Sequence, residues 1–213
     1  MNGYAADVAA LARKDLLLEL RAKETLPAML LFVLSTLTVF HFALPRGGGG
    51  LAALGLLWVA IVFTALLGLT RAFVAEREQG LLDALVLAPC DRSAIWLGKT
   101  IAVLAFLVAA ELVALPAFAA FFAPVGARTV VAIALADIGI ATVGTLLGAM
   151  AVAGRARELL LPLLFLPLAI PIVVGGVGAS AGGGSRYLAF LALYDAVFAV
   201  LSWASFEYVV AEA

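Results

Sequence analysis

Residues 159–185 read LLLPLLFLPLAIPIVVGGVGASAGGGS and contain no charged side chain. A helix needs about 20 consecutive apolar residues to cross the hydrocarbon core of a bilayer, which is about 30 Å thick. Five more runs of suitable length hold at most one acidic residue each, and they cover residues 25–45, 47–70, 100–127, 129–154 and 187–206. The sequence therefore predicts an all-α, polytopic membrane protein with six transmembrane helices in one domain over residues 1–213.

The composition agrees with a membrane protein. Of the 213 residues, 66% are hydrophobic and 13% are charged, and the mean hydropathy is +1.19. Soluble domains are about half apolar and a quarter charged. The net charge of −1 gives no reason to expect a nucleic-acid partner. The high hydropathy makes membrane lipid the expected surroundings. With one cysteine, Cys90, and one histidine, His41, the chain cannot build a conventional zinc site, and we predict no metal site.

The basic residues predict the orientation of the chain, because Lys and Arg in short loops resist translocation and stay in the cytoplasm. Ten of them lie on one side of the six-span arrangement and three on the other. The ten are Arg13, Lys14, Arg21, Lys23, Arg71, Arg77, Arg92, Lys99, Arg155 and Arg157, and the three are Arg46, Arg128 and Arg186. This asymmetry predicts that both termini are cytoplasmic, together with the segment 1–24 and the connection 75–99 between spans two and three.

A helix is predicted for residues 8–24, before the six-span bundle of residues 25–213. Apolar side chains recur there at four-residue spacing, at Val8, Ala12, Leu16 and Leu20. Charged side chains occupy the neighbouring stripe, so the apolar face is narrow. Two placements follow from this pattern: a solvated helix that leads into span one, or an interfacial helix that lies on the membrane.

The connection between spans two and three is most informative at residues 76–89, which read EREQGLLDALVLAP. A charged turn, a glycine, a short amphipathic stretch and a proline predict a short helix across the membrane face. A soluble cytoplasmic subunit would cover its apolar side, and the alternative is a helix that rests on lipid. The predicted docking residues are Glu76, Glu78, Gly80, Leu81, Leu82, Asp83, Leu85 and Pro89.

The triplet Gly98-Lys99-Thr100 matches the end of a phosphate-binding loop. The full motif needs a glycine five residues before Gly98, where this chain has Ser93. It also needs a flexible loop, where this chain has the bulky Ile95-Trp96-Leu97. We therefore predict no nucleotide binding and no catalytic residue in this chain, which is not an enzyme by itself.

Three acidic residues interrupt the predicted spans: Glu111, Asp137 and Asp195. A charged side chain at the centre of a bilayer costs about 3 kcal/mol or more unless it is paired, protonated or hydrated. One hypothesis is a role in transport or proton relay. The other is a structural one, in which the acids pair with helix ends or with hydroxyls such as those of Thr142 and Thr145.

Span five contains the prolines Pro162, Pro167 and Pro171. Each proline removes a backbone donor and crowds the carbonyl four residues earlier, so we predict a kink or a break between residues 161 and 172. Such a helix would line the protein interior or a subunit interface, or it would be a merely bent structural helix. Gly175-Gly176 and Gly178 are predicted to end it near the outer surface.

Span four contains a Gly-x-x-x-Gly step formed by Gly144 and Gly148. Small residues at this spacing let the backbones of two membrane helices approach each other closely. The step therefore predicts a helix-packing contact in the middle of the bundle.

The connection resembles the one between the second and third spans of ABC-2 type exporter permeases. The resemblance is carried by EREQGLLDAL at 76–85, by Pro89 and by Gly98-Lys99. Within that group the chain is similar, over essentially its full length, to the haem exporter protein B family (CcmB), the permease subunit of cytochrome c maturation. The narrower resemblance is carried by the six-span length, by Leu26-Pro27 at the start of span one and by the three-proline fifth span.

The resemblance implies a permease subunit of an ABC transporter complex in the bacterial cell inner membrane. A partner subunit would hydrolyse ATP, and the complex would use it for haem export or for release of a haem-loaded periplasmic chaperone. The implied partners are a cytoplasmic ATPase (CcmA-like), a haem-handling membrane subunit (CcmC-like), a small one-span subunit (CcmD-like) and a periplasmic haem chaperone (CcmE-like). Two alternatives stay open: an ABC-2 type exporter permease for lipid or drug, and a passive membrane scaffold for the haem-handling subunit.

The resemblance assigns no cofactor to this chain itself, since ATP belongs to the partner and haem to the complex. His41, near the outer end of span one, is the one residue with the chemistry of an axial haem ligand. A lone histidine at that depth is more often a polar residue among lipid headgroups. Both interpretations of His41 stay open.

Overall fold

The structure, a computed structural model, describes residues 2–44, 50–72, 91–153 and 157–211. Within these ranges all regular secondary structure is helical, as the all-α prediction requires. The helices are α1 Asn2–Ala22, α2 Thr25–Ala43, α3 Leu51–Ala72, α4 Arg92–Phe121, α5 Ala127–Ala153, α6 Arg157–Ser180 and α7 Ser185–Ala211.

Helices α2 to α7 are each long and apolar enough to cross a membrane. Their apolar segments are Thr25–Ala43, Leu51–Ala72, Arg92–Phe121, Ala127–Ala151, Leu159–Ser180 and Ser185–Val209. Each segment overlaps one of the six predicted runs, so the predicted number of spans is confirmed. The outer surface of the bundle is apolar as well, with Leu31, Leu112 and Leu163 exposed by 72%, 71% and 69%. Soluble monomers rarely expose apolar patches of this extent, whereas lipid tails would cover them.

The two helices α3 and α5 hold the bundle together. Helix α3 packs against α2, α4, α5 and α6, and helix α5 packs against α3, α4, α6 and α7. Large side chains of α3, α5 and α6 form the core and are almost fully buried, among them Trp58, Ile133, Ile140 and Phe165. This core lies in the middle of the membrane-spanning region and fixes the relative positions of the six spans.

Successive spans run antiparallel, so the bundle has two ends. At one end Arg71 of α3 pairs with Glu24 before α2 at 3.7 Å, and Arg92 of α4 pairs with Glu207 of α7 at 3.8 Å. We call this the α1 end, because α1 precedes α2 there. At the far end, Nδ1 of His41 on α2 lies 2.8 Å from the carbonyl oxygen of Phe121 on α4.

Helix α1 starts at Asn2, earlier than the predicted position 8, and it packs against α4. Val8 and Ala12 are 7% and 6% exposed on the packed side. The turn into α2 places Lys23 at a φ of 55°. The Oε1 atom of Glu19 accepts a hydrogen bond of 2.8 Å from the backbone N–H of Thr25. Helix α1 therefore buries one face against α4 at this end, and the two predicted placements, in solvent or on the membrane, stay predictions for its other faces.

Helix α4 begins at Arg92, whereas the sequence places residues 92–99 in the connection. Asp91 caps the helix, since its side chain accepts a hydrogen bond of 2.9 Å from the backbone N–H of Ser93. This hydrogen bond lowers the pKa of the exposed Asp91 carboxyl. The predicted start of this span lies after Lys99, because a lysine normally stays outside an apolar span.

Helix α6 continues through Pro162, Pro167 and Pro171 as one helix, so the predicted break is wrong, and the predicted kink stays a prediction. Each proline removes only its own backbone donor, and packing against α3, α5 and α7 holds the remaining turns. The predicted end at residues 175–178 is also wrong. The helix ends after Ser180, where Gly182 has a φ of 85° and the N–H of Gly183 bonds the carbonyl of Gly178 at 2.9 Å.

The glycines inside α6 and α5 are contact points for large side chains of neighbouring helices. A Cβ atom at Gly176 would overlap the ring of Trp58 from α3, and one at Gly144 would overlap Leu69 from α3. Gly148, the second member of the predicted step, is buried. Glycine thus lets α3 approach both α5 and α6 closely.

Candidate functional site

The predicted docking residues fall in 73–90, outside the described residues. These are Glu76, Glu78, Gly80, Leu81, Leu82, Asp83, Leu85 and Pro89. The structure does describe the two points between which the segment runs, Ala72 at the end of α3 and Asp91 before α4. Both points lie at the α1 end of the bundle.

Lys99 joins three helices at these two points. Its Nζ atom donates a hydrogen bond of 3.2 Å to the carbonyl oxygen of Ala72, the last residue of α3. The same atom lies 3.4 Å from Oδ2 of Asp15 on α1. Lys99 is only 4% exposed. We call Lys99, Asp15 and Ala72 the junction, because they tie α4, α1 and α3 together where the segment leaves and re-enters the bundle.

Gly98 brings α1 close enough for the junction to form. A Cβ atom at Gly98 would lie 2.8 Å from Cβ of Leu11 and 3.2 Å from the carbonyl oxygen of Val8. The next residue but one, Thr100, donates its hydroxyl proton to the carbonyl of Trp96 at 2.8 Å. All three residues of the Gly98-Lys99-Thr100 triplet therefore have packing or hydrogen-bonding roles within the bundle.

Two of the three intramembrane acids, Glu111 on α4 and Asp137 on α5, belong to neighbouring helices that pack against each other. Asp137 is 1% exposed. Among the described residues, Oε1 of Glu111 and Oδ1 of Asp137 are buried with no hydrogen-bond partner.

A small cavity of about 10 Å³ lies beside Glu111, between α2, α3 and α4. It is lined by Glu111, by Thr64 of α3 and by apolar side chains that include Val33 and Leu107. Thr64 is 4% exposed, and its hydroxyl has no hydrogen-bond partner in the part of the chain that the structure describes. Two buried polar groups, the carboxyl group of Glu111 and the hydroxyl group of Thr64, thus line the same cavity.

Asp195, the third acid, lies on a different side of α5. A Cβ atom at Gly139 would be 2.6 Å from Oδ1 of Asp195, so this carboxyl group rests against the α5 backbone. Residues two positions apart on a helix do not share a face, and Asp137 therefore points away from Asp195. The expected pairing of an acid with Thr142 is not observed, because the Thr142 hydroxyl donates to the carbonyls of Ile138 and Gly139.

The far end of the bundle contains His41 and a second cavity. Phe42, Phe121 and Phe122 surround the His41 ring, at centroid distances of 5.3, 5.2 and 5.8 Å. A carbonyl only accepts hydrogen bonds, so Nδ1 of His41 carries the proton toward Phe121. The cavity, of about 420 Å³, is lined by the loop before α5, by Arg128 and by Ser180. Within the described ranges no group of three or more metal-binding side chains is found.

Comparison with known proteins adds the family. The family model described as CcmB protein matches residues 6–210 of this chain. The chain therefore belongs to the CcmB family. A Heme exporter protein B of Paracoccus denitrificans (strain Pd 1222) is 31% identical over 207 residues, which cover 92% of this chain and 94% of that protein.

Two further relatives carry the same name, Heme exporter protein B. The protein of Bradyrhizobium diazoefficiens is 32% identical over 181 residues, which cover 81% of this chain and 80% of that protein. The protein of Pseudomonas aeruginosa is 36% identical over 129 residues, which cover 59% of this chain and 57% of that protein. The predicted membership of the CcmB family is confirmed.

In this CcmB-family chain, sequence reasoning missed the junction and Thr64. Lys99 has one sequence feature that could have revealed its role: it lies directly between the apolar Trp96-Leu97 and a long uncharged run. A lysine in that position needs a buried partner. Nothing in the sequence identifies Asp15 as that partner, or separates Thr64 from the other threonines.

Proposed function

We propose that this chain is the membrane permease subunit of an ABC-type transport complex for cytochrome c biogenesis. The observation that carries the proposal is the family match over residues 6–210, with relatives named Heme exporter protein B. The six apolar helices support a role within the membrane. In this proposal a separate subunit hydrolyses ATP, and the complex exports haem or releases a haem-loaded periplasmic chaperone.

The proposed complex contains the partners that the resemblance implies. They are a CcmA-like ATPase in the cytoplasm, CcmC-like and CcmD-like subunits in the bacterial inner membrane, and a CcmE-like chaperone in the periplasm. Haem would be handled by the complex as cargo. His41 is the residue of this chain that could contact it, because a neutral ring with a proton on Nδ1 has a lone pair on Nε2.

The proposed docking element for the ATPase is the segment 76–89. The junction supports this placement, because a force on the segment reaches α3 through Ala72 and α4 through Asp91. Lys99 links both of these helices to α1. Motion at the segment would therefore move α1, α3 and α4 together rather than a single loop.

The test is co-purification of the ATPase with Leu82→Arg and Leu85→Arg variants of this chain. An apolar anchor in a groove contributes about 2 kcal/mol or more to binding, so each variant should recover at least about tenfold less ATPase. Leu87→Arg is a matched control, because residues two positions apart point to different sides of a helix. All variants should be present in the membrane at normal amounts.

Undiminished recovery of the ATPase with both variants would place the docking site elsewhere. A second measurement separates a permease from a passive scaffold. With an ATPase that binds but cannot hydrolyse ATP, release of the haem-loaded chaperone should stop. Continued release would favour the scaffold alternative.

A further inference from the structure

The cavity at the far end of the bundle lies where four helices meet the loop before α5. It has a volume of about 420 Å³, and it is lined by the start of α3, the end of α4, the start of α5 and the end of α6. Its walls are mostly apolar and include Leu54 and Phe118, while Arg128, Thr129 and Ser180 are the polar side chains that line it. A largely apolar cavity of this size with a few polar groups is typical of a small-molecule site.

The cavity carries positive charge without an acidic neighbour. Arg128 is exposed at the cavity wall and forms no ion pair within the described residues. Residues 25–75, 112–136 and 159–194 include the whole described wall of the cavity, and they contain no Asp or Glu. An anion in the cavity would therefore meet a guanidinium without a competing carboxylate. Guanidinium groups bind phosphate through two parallel hydrogen bonds.

The first turn of α5 adds backbone donors to the cavity wall. The carbonyl of Gly126 accepts hydrogen bonds from the N–H groups of Thr129 and Val130, at 2.9 and 3.2 Å, so Gly126 is the N-cap residue of α5. The N–H groups of Ala127 and Arg128 precede these bonds and have no partner within the helix. A glycine provides no side chain to accept from the first turn. The positive end of the α5 dipole therefore lies at the cavity without a side-chain cap.

Thr129 provides an independent sign of a ligand. It is only 4% exposed, it lines the cavity, and its hydroxyl makes no hydrogen bond within the described residues. The buried Thr100 and Thr142, in contrast, donate their hydroxyl protons to carbonyls of their own helices. Ser180 accepts a hydrogen bond of 3.1 Å from Nε1 of Trp58, which leaves its own hydroxyl proton to donate. Buried hydroxyl groups normally have a partner, and a bound group with acceptor oxygens would supply one to both.

We propose that the far-end cavity binds the phosphate group of an anionic phospholipid. Its donors are the guanidinium of Arg128, the first-turn N–H groups of α5 and the hydroxyls of Thr129 and Ser180. The cavity lies at the ends of the membrane spans, at the depth of the lipid headgroups, and its apolar walls suit the glycerol and the start of an acyl chain. A zwitterionic headgroup fits less well, because the described wall offers no acidic side chain to its ammonium group. The site does not rest on the proposed function.

The first experiment titrates the full chain, purified in detergent, with phosphatidylglycerol and reads bound lipid by native mass spectrometry. We expect one phosphatidylglycerol to bind in preference to phosphatidylcholine. Arg128→Gln should weaken this binding by at least about tenfold, because hydrogen bonds to charged groups are the strong ones. Thr129→Val removes one neutral hydrogen bond and should weaken it by about threefold. Arg186→Gln is the matched control, since Arg186 is a far-end arginine outside the cavity wall and lies 5.0 Å from the ring centroid of Tyr187.

The second experiment blocks the site without weakening the fold. Nothing lies within 4 Å of a Cβ atom at Gly126, and an aspartate at the N-cap accepts hydrogen bonds from the first turn of the helix. Gly126→Asp should therefore unfold at the parent temperature or above it, while its carboxylate repels the phosphate and abolishes lipid retention. Gly126→Asn, which caps the helix without a charge, is the matched control and should retain more phosphatidylglycerol than Gly126→Asp.

Three results would overturn the proposal. The first is equal binding of phosphatidylglycerol and phosphatidylcholine by the unmodified chain. The second is undiminished binding of phosphatidylglycerol by both Arg128→Gln and Gly126→Asp. The third is protection against thermal unfolding by inorganic phosphate that equals the protection by phosphatidylglycerol, because that result would assign the cavity to a free anion.

Discussion

At the scale of single residues, Lys99 is a buried charge with partners on two other helices. It is 4% exposed, and its ammonium group contacts a carboxylate and a helix-terminal carbonyl. The carbonyl of Ala72 is one of those at the end of α3 that have no partner within the helix. Lys99 thus contacts a helix end and a partly buried acid at once. Its position explains why a charged residue can lie inside the apolar helix α4.

Lys99→Met should destabilise the α1 end of the bundle. Removing one partner of a buried ion pair costs about 3–5 kcal/mol, because the other charge stays buried without compensation. The Asp15 side chain is 13% exposed and keeps its contact with Lys14, so we expect the lower part of this range. The measurements are the thermal unfolding temperature in detergent and the rate of proteolytic cleavage within α1, which should rise.

Lys14→Met is the matched control for this prediction. Lys14 contacts the same carboxylate, with its Nζ atom 3.0 Å from Oδ1 of Asp15, but its side chain is 33% exposed. Exposed ion pairs contribute about 0–1 kcal/mol, so this variant should unfold close to the parent temperature. Equal effects of the two variants would contradict the role given to Lys99. Adding Asp15→Leu to Lys99→Met should recover part of the loss.

The sequence predicted which residues are unusual more reliably than what they contact. It singled out Glu111, Asp137 and Asp195 as costly groups in the membrane, and the structure buries Asp137 at 1% exposure and places Asp195 against Gly139 of α5. What each acid contacts depends on how α4, α5 and α7 are rotated against one another. Residue spacing within one helix carries no information about that rotation, so these contacts could not be predicted.

At the scale of elements, α6 shows how glycine determines where a helix packs. Trp58 of α3 is 0% exposed, and its indole ring lies on Gly176 while its Nε1 donates a hydrogen bond of 3.1 Å to Oγ of Ser180. Leu191 of α7 lies on the adjacent Gly175. Two neighbouring glycines thus receive side chains from both flanking helices.

Gly176→Ala should weaken the contact between α3 and α6. The added methyl group would overlap the rigid Trp58 ring, and overpacking of a core costs about 1–3 kcal/mol. Gly55→Ala on α3 is the matched control, because nothing lies within 4 Å of a Cβ atom there. Thermal unfolding in detergent should fall for Gly176→Ala and stay level or rise for Gly55→Ala. A level result for both would show that Trp58 can move away freely.

The prolines of α6 show that the behaviour of proline in an isolated helix does not predict whether a packed membrane helix is interrupted. A proline in an isolated helix is disruptive enough to predict a break, and the observed helix from Arg157 to Ser180 has none. In a membrane, breaking the helix would expose further backbone groups to lipid, which costs several kcal/mol for each unsatisfied group. The helix therefore continues, and its end is set by Gly182 instead.

At the scale of the whole molecule, the six spans follow from the sequence, because each needs only a long apolar run. Their arrangement around α3 and α5 does not, since it depends on long-range contacts such as Leu69 on Gly144. Helix α1 is the clearest case. Its charged stripe gave no sign that Val8 and Ala12 are buried against another span, yet α1 packs on α4, where Gly98 approaches Leu11 and the carbonyl of Val8.

The orientation of the molecule is the last prediction, and it concerns the whole chain. The antiparallel spans place both described ends of the chain at the α1 end, where Arg92 pairs with Glu207. Ten of the 13 basic residues belong to this side in the sequence, and basic loops are retained in the cytoplasm. Reporter fusions after Gly3 and after Ala213 should therefore give a cytoplasmic signal. A fusion after Pro124, in the far-end loop between α4 and α5, should give a periplasmic one. A periplasmic signal from either terminus would contradict the six-span orientation, and so would a cytoplasmic signal from Pro124.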